Sequence, residues 1–473
     1  MAIKRVQIKA QDLVLEMFVS GLDRPWSQTP FPLQGFYLKK PQDIDQVKAF
    51  STYVYIDVSR GRGPEPGTRI YATEGDVDDP PDVAPAYAVQ PRRADLNKLT
   101  STPPRPIEIR EGVYQKTVPL RLEAARAEHI IRELKGNLTL LNKQVARGRL
   151  TVVDELKKSV EDMVASVLRC PDAMNWLLRL RHRDQHSYDH SLRTSMLTAQ
   201  FGRFAGMPKE EIALLAMGAL LKDLGKIGIP RSILQSERRS SEEEDVYRSF
   251  VDHGVEILRT LESLDPKVVS VVRFHCERLD GSGFPQGVNG GKIPFHARIV
   301  GIATEYDAIS SPRQSKYPVA PSRAVSLIYN MRGKKFQEDL VVKFIQSIGP
   351  YPTGTLVELT SGDLGVIMEQ NPESRLSPTI AVLDRSPGAD KLGRNCVFIN
   401  LKDEKESRQI LLATGRKNIM EAPKLAVARD LEPDTYDVDY QTISDAFLST
   451  VLETRAQAEG QSFLANLKSR FFS

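Results

Sequence analysis

His182, His186 and His190 stand at i, i+4 and i+8, so a helix would carry them on one face. Histidines one turn apart are a common metal-ligand spacing. The surrounding Arg181, Arg183, Asp184 and Gln185 favour a plainer solvated face. Further on, Lys222 sets an ammonium beside the Asp223 carboxylate, and Lys226 follows. His275-Cys276 puts an imidazole next to a thiol, both of them metal-ligand types. In Asp280-Gly281-Ser282-Gly283-Phe284-Pro285 the glycines permit tight or left-handed turns and the proline fixes the exit.

These residues need a scaffold, and 473 residues suffice for about three domains. Hydrophobic content of 41% and charged content of 27% are those of an ordinary globular protein. A net charge of +4 from 65 basic and 61 acidic side chains argues neither for a nucleic-acid partner nor for a membrane surface. Cys170, Cys276 and Cys396 form no CxxC pair, which fits a reducing cytoplasm. The N-terminus reads as no signal peptide, and the longest apolar run, Ile212 to Leu221, is too short for a span of about 20 residues.

The fold class expected is multidomain α+β. Residues 1–60, with Val6 and Ile8 alternating against polar neighbours and a run Tyr53–Val58, predict a small N-terminal αβ or β domain. Nine of the 30 prolines fall between Gly61 and Pro106, so 61–116 reads as a Pro-rich, largely disordered linker. Residues 117–349 read as all-helical, with helices near 119–141, 152–168, 172–183, 189–205, 209–221, 242–261, 266–275, 294–310, 323–331 and 337–348. Residues 350–402 switch to strand-like runs around the turn Ser361-Gly362-Asp363, predicting a small β subdomain. Residues 403–473 read as a polar tail closing on a short basic amphipathic helix at Phe463–Phe472.

Four segments in order carry a resemblance. They are Tyr188-Asp189-His190-Ser191, Leu221-Lys222-Asp223-Leu224-Gly225-Lys226 through Pro230, His275-Cys276-Glu277 through Pro285, and Thr304-Glu305-Tyr306-Asp307-Ala308. Together they resemble the HD-GYP family of cyclic di-GMP phosphodiesterases, over about Arg183–Gly349. Val19 to Trp26, with Pro30-Phe31 and Gly35-Phe36, is similar to a small domain often found ahead of HD-GYP domains in bacteria; Trp26 and Phe31 read as its core. The resemblance implies two or three metals, commonly iron or manganese, that polarise a phosphoryl oxygen and activate a bridging water.

Carried over by position, the retained groups are His190, Asp223, Lys226 and His275, with Asp223 and Lys226 at catalytic positions. Four ligand positions are substituted: Lys222 and Cys276 stand for histidines, Phe250 for a histidine and Thr304 for an aspartate. His253, three residues beyond Phe250, would serve only if the register shifted. An ammonium among the ligands would repel a divalent ion and neutralise Asp223, and Phe250 donates nothing. The expectation is therefore no cofactor, or at most one divalent metal (zinc, iron or manganese) on Asp223, His275 and Cys276, with His190 nearby.

The resemblance also implies ligand contacts at Arg313 and Lys316, and at the loop residues Gly283, Phe284 and Pro285. It gives cyclic di-GMP and a GGDEF-type synthase, or another signalling protein, as possible partners. Three functions stay open: a catalytically degenerate signalling protein of the cyclic di-GMP network, a phosphodiesterase with an altered metal site, and a structural dimer-forming regulator with a vestigial pocket. In the last, helices at 119–168 would supply a homodimer interface.

Overall fold

The computed structural model describes residues 5–22, 36–38, 40–58, 60–64, 68, 72–73, 104, 106–145, 152–178, 186–236, 238–261, 263–311, 319–371, 374–384, 392–393, 395–416, 419, 424–433 and 435–449, and leaves the side chains of 46, 49, 50, 72, 73 and 186–189 undescribed. The chain divides into two compact units, Met1–Asn97 and Lys98–Ser473. Mixed helix and sheet runs through both.

The first unit holds β1 (Arg5–Lys9), β2 (Phe18–Leu22), β3 (Phe36–Tyr37), α1 (Pro41–Phe50), β4 (Tyr53–Asp57) and β5 (Ala72–Thr73). The strands form one antiparallel sheet in the order β3-β2-β4-β1-β5. Val6 and Ile8 turn one way from β1 and meet Val54 and Ile56 of β4, because side chains alternate along a strand. Trp26 and Phe31 lie outside the described residues.

The second unit opens with residues expected to be linker. Within 106–116 the chain is instead anchored: Arg110 N–H donates to Ala205 O, Ile107 N–H to Asp339, and Lys116 pairs with Glu369. Then come α2 (Leu120–Val145), α3 (Val153–Arg169), α4 (Pro171–Trp176), α5 (His186–Phe204), α6 (Lys209–Leu221), α7 (Arg231–Gln235), α8 (Ser241–Arg248), α9 (Phe250–Arg259), α10 (Pro266–Phe274), α11 (Phe295–Ser310), α12 (Pro321–Asn330) and α13 (Glu338–Ile348). The single helix expected at 242–261 is two, broken at Ser249, whose hydroxyl bonds back to Val246 O. Of the helix expected at 172–183, α4 and the helical residues 177–178 are described, and residues 179–185 lie outside the described set.

Apolar on all sides, α6 is a central helix, buried from Leu215 through Leu221 and packed by α5, α3 and α10. Its C-terminal end delivers Lys222 and Asp223 into the interior of the bundle.

The sheet of this unit is antiparallel, in the order β10-β6-β7-β8-β9: β6 (Leu356–Leu359), β7 (Leu364–Glu369), β8 (Thr379–Leu383), β9 (Cys396–Asn400) and, after α14 (Glu404–Ala413), β10 (Val427–Asp430). The sheet thus draws a strand from beyond residue 402, where a polar tail was expected. Residues 440–449 are helical and bury Tyr440, Ile443 and Phe447, the last with its ring 6.3 Å from Trp176. Their apolar residues are sparse but fall on one face, which composition alone hides. The helix expected at Phe463–Phe472 lies outside the described residues.

Both faces of this sheet are buried. Val366, Met368, Ala381 and Leu383 join the bundle core, while Ile367, Ile380 and Val382 pack on the other side with Leu411 of α14. Among the described residues, no helix is long and apolar enough to cross a membrane.

Candidate functional site

The site forms where the end of α6, a 3-10 turn (Leu224–Gly228) and the N-terminal part of α9 meet α5, the end of α10 and α11. Gly225 lets the turn touch α9: a Cβ there would sit 1.9 Å from Phe250 O and 2.3 Å from Gly254 N. That close approach is the physical reason for glycine at this position.

Asp223 is the hub. Lys222, fully buried, donates to its Oδ2; Lys226 Nζ lies 2.6 Å from Oδ1; and the Ser191 hydroxyl donates to Oδ2 at 3.1 Å. Burial alone would raise the Asp223 carboxyl, but the two ammoniums outweigh it and hold it well below the usual carboxylate range. Burial pushes Lys222 down against the pull of Asp223. For Lys226, burial acts in the same direction but Asp223 prevails, and its pKa is raised.

His190 faces the hub from α5, with Nε2 3.9 Å from Asp223 Oδ2. Its Nδ1 bonds Asp307 Oδ2 at 2.7 Å, and Arg193 forks onto the same carboxylate at 2.7 and 3.0 Å. Burial, then the Lys222 charge, lowers His190. Burial opposes ionisation of Asp307, yet Arg193 and His190 hold its pKa low.

At the end of α10, His275 Nδ1–H donates to Val272 O at 2.8 Å, since a carbonyl only accepts. Its Nε2 is then an acceptor, and Cys276 Sγ lies 3.2 Å away. Burial, with Lys222 adding to it, drops His275 to about 3, and burial raises the Cys276 thiol to about 12.

Phe250 stacks among rings: 6.0 Å from His275, 6.1 Å and edge-on to Phe284, with Lys226 Nζ 4.9 Å from its centroid. Tyr247 and Phe284 extend this apolar cluster toward the surface, covered by Arg239 at 4.0 Å and Arg248 at 5.3 Å.

The loop after Cys276 is built separately. Glu277 Oε1 accepts from Gln286 N–H at 2.8 Å, clamping the loop's far limb. Gly281 and Gly287 have φ of +75° and +63°, and a Cβ at Gly283 would strike Glu277 and Arg278 backbone at 2.4 to 2.5 Å. Arg278 ties the loop to α11 through Glu305 at 2.8 Å.

The comparisons with known proteins now bear on this arrangement. Residues 178–340 match the HD domain family, and residues 5–156 match a domain of unknown function (DUF3391). A cyclic di-GMP phosphodiesterase of Pseudomonas aeruginosa is 27% identical over 80% of this chain and 84% of its own length. The cyclic di-GMP phosphodiesterase response regulator RpfG of Xanthomonas campestris is 33% identical over 33% of this chain, and a cyclic di-GMP phosphodiesterase of Thermotoga maritima 29% over 46%. The chain spans about half the length of these last two, 42% and 56%. The chain belongs to the HD-GYP family. Among solved structures, an HDG"Y"P protein from Bdellovibrio bacteriovorus matches 72% of this chain and 98% of that one, at 14% identity and a TM-score of 0.42.

In this HD-GYP chain, His190, Lys222, Asp223, Lys226, Phe250, His275 and Cys276 converge at one place. Thr304 does not offer its hydroxyl, which bonds back to Val300 O at 2.7 Å. His253 lies with its ring against Gly228, Nδ1 3.1 Å from where a Cβ would be, while Phe250 holds the cavity side of α9. Arg313 and Lys316 lie outside the described residues, as do His182 and the side chain of His186.

As arranged, these side chains do not fit a bridged pair of divalent cations. Both oxygens of the would-be bridging carboxylate carry an ammonium, and a cation this close repels another. Phe250 offers a ring where a donor is needed.

Sequence reasoning missed Asp307, Arg193 and Ser191 as the groups that orient His190 and Asp223. Asp307 was legible in Glu305-Tyr306-Asp307-Ala308, where attention fell on Thr304. No sequence signal marked Arg193, because its role depends on α5 packing against α11.

Proposed function

We infer that this chain is a catalytically degenerate HD-GYP protein of cyclic di-GMP signalling, acting by protein contacts or residual nucleotide binding. One observation carries the reading: the buried Lys222 ammonium sits on Asp223, where hydrolysis in this family needs a carboxylate bridging metals. An internal cation then balances Asp223 without supplying a Lewis acid or an activated water. Lys226 keeps its charge at the pocket side of the turn and remains a phosphate contact. The reading takes its nucleotide from relatives whose names carry cyclic di-GMP.

The test is turnover of cyclic di-GMP with manganese or iron supplied, beside calorimetric titration with the same nucleotide. We expect binding that is weak or absent and no linearised product. Restoring Lys222→His, Phe250→His, Cys276→His and Thr304→Asp together should create metal uptake and hydrolysis; an active natural chain sinks the proposal.

A second reading, a phosphodiesterase with an altered single-metal site, draws on the His275 Nε2 acceptor beside Cys276 Sγ. With Asp223 these residues would hold the ion, which would supply Lewis acidity. One tightly held equivalent of metal per purified chain would favour it over the first.

A further inference from the structure

We propose that the outward face of α2 is the seam of a homodimer, on which a second copy of this chain lies antiparallel about a two-fold axis near residue 131. The helix buries Ile130, Ile131, Leu134 and Leu138 inward against its own unit. On the opposite face, Leu122, Arg126, His129, Glu133, Gly136 and Leu140 are all exposed. Leu122 and Leu140 are 46% and 45% exposed, among the nine large apolar side chains that stand exposed in the described residues, and they mark the two ends of one stripe.

Their spacing is 4-3-4-3-4, the step pattern of a coiled-coil seam, and it reads the same in both directions. Turned end for end, the stripe therefore falls on itself. Leu122 meets the partner copy at Leu140, His129 meets it at Glu133, and Arg126 meets it at Gly136. A two-fold interface demands this self-complementarity, in which each contact occurs twice.

Charge supports the pairing. The imidazole N–H of His129 faces a carboxylate, and Arg126 faces the one position without a side chain. Gly136 is the independent clue. It is a helix-weakening residue in mid-helix, and among the described residues nothing lies within 4 Å of where its Cβ would be. Among the described residues no contact requires glycine there, whereas an arginine stem from an opposed helix would. A His129–Glu133 pair within one helix accounts for the middle of the stripe, but for neither leucine and not for the glycine.

One helix pair buries less than the roughly 1,600 Å² of a standard interface, so the dimer is of the concentration-dependent kind. The test is sedimentation velocity and light scattering on the full chain, from low to several hundred micromolar. The mass should rise from that of one 53.0 kDa chain toward twice that value. Leu122→Glu with Leu140→Glu should weaken association about tenfold or more, leaving the circular dichroism and melting of these surface positions unchanged. Gly136→Gln should melt no lower, being a better helix former, and yet associate less. His129→Glu should weaken association, and adding Glu133→His should restore it. A chain monomeric throughout, as when its own N-terminal unit or another protein covers the face, overturns the proposal. So does a dimer that none of these changes touches, and failed restoration overturns the antiparallel register.

Discussion

The pocket floor and the loop after Cys276 meet where Phe250 faces Phe284, yet they keep their shapes by different means. On the floor, Asp223 is held by Lys222, Lys226 and Ser191, and Phe250 packs by ring contacts. In the loop, shape comes from glycines at positive φ, the close approach at Gly283 and the Glu277 clamp on Gln286. Beyond the Phe284 ring against Phe250, the loop leans on the site only through the Cys276 carbonyl, which accepts from Phe284 N–H at 3.3 Å whatever the side chain. The loop can therefore persist whatever becomes of the groups that would hold metal.

Breaking the floor should cost most. Asp223→Ala strands a fully buried ammonium, and removing one partner of a buried pair costs about 3–5 kcal/mol. In urea titrations of the two variants, Lys222→Met should cost clearly less, because Lys226 and Ser191 still hold Asp223. Equal losses would refute the dependence of the ammonium on its carboxylate. Phe250→Ala empties a buried ring site and should cost about 3 kcal/mol or more.

The loop should yield less, and locally. Glu277→Ala leaves the Gln286 N–H without its acceptor, at about 1–3 kcal/mol. Hydrogen exchange should quicken at 281–288 while α6 stays protected.

Acid separates the two regions further. Burial and Lys222 depress His275 to about 3, whereas in the unfolded chain it titrates near 6.5. Below that value the unfolded chain takes up a proton that the native one refuses, so stability falls with pH down to about 3. The first unit of acidification should remove about 1 kcal/mol. His275→Gln should reduce that slope, leaving the part that His190, also held below its ordinary value, contributes. Asp223, also depressed, adds loss only below about 3.9. Smallest of all, Phe284→Tyr adds one hydroxyl to a half-buried ring and should move stability by no more than about 0.5 kcal/mol.

The helical region was readable because its boundaries rest on local signals. Lys209–Leu221 was expected and found, and Pro266 opens α10 behind an Asp265 cap that accepts from Lys267 N–H at 2.8 Å. The convergence of Asp223, His275 and Phe250 followed from motif order. Hidden were elements made by long-range pairing: α1, β10, α14 and the helix at 440–449. Their sequences are half polar and show their apolar face only once a partner exists. Asp307 was hidden for a related reason, since its two partners lie more than a hundred residues away.

The sheet of β6 to β10 is a party wall. Its alternating side chains furnish part of the bundle's own interior, and Phe447 closes on Trp176 from beyond it. A polypeptide ended at Gly349 would leave that side of the helices naked, so it should aggregate rather than yield a free-standing domain. The helices and the sheet should melt together, as one cooperative transition.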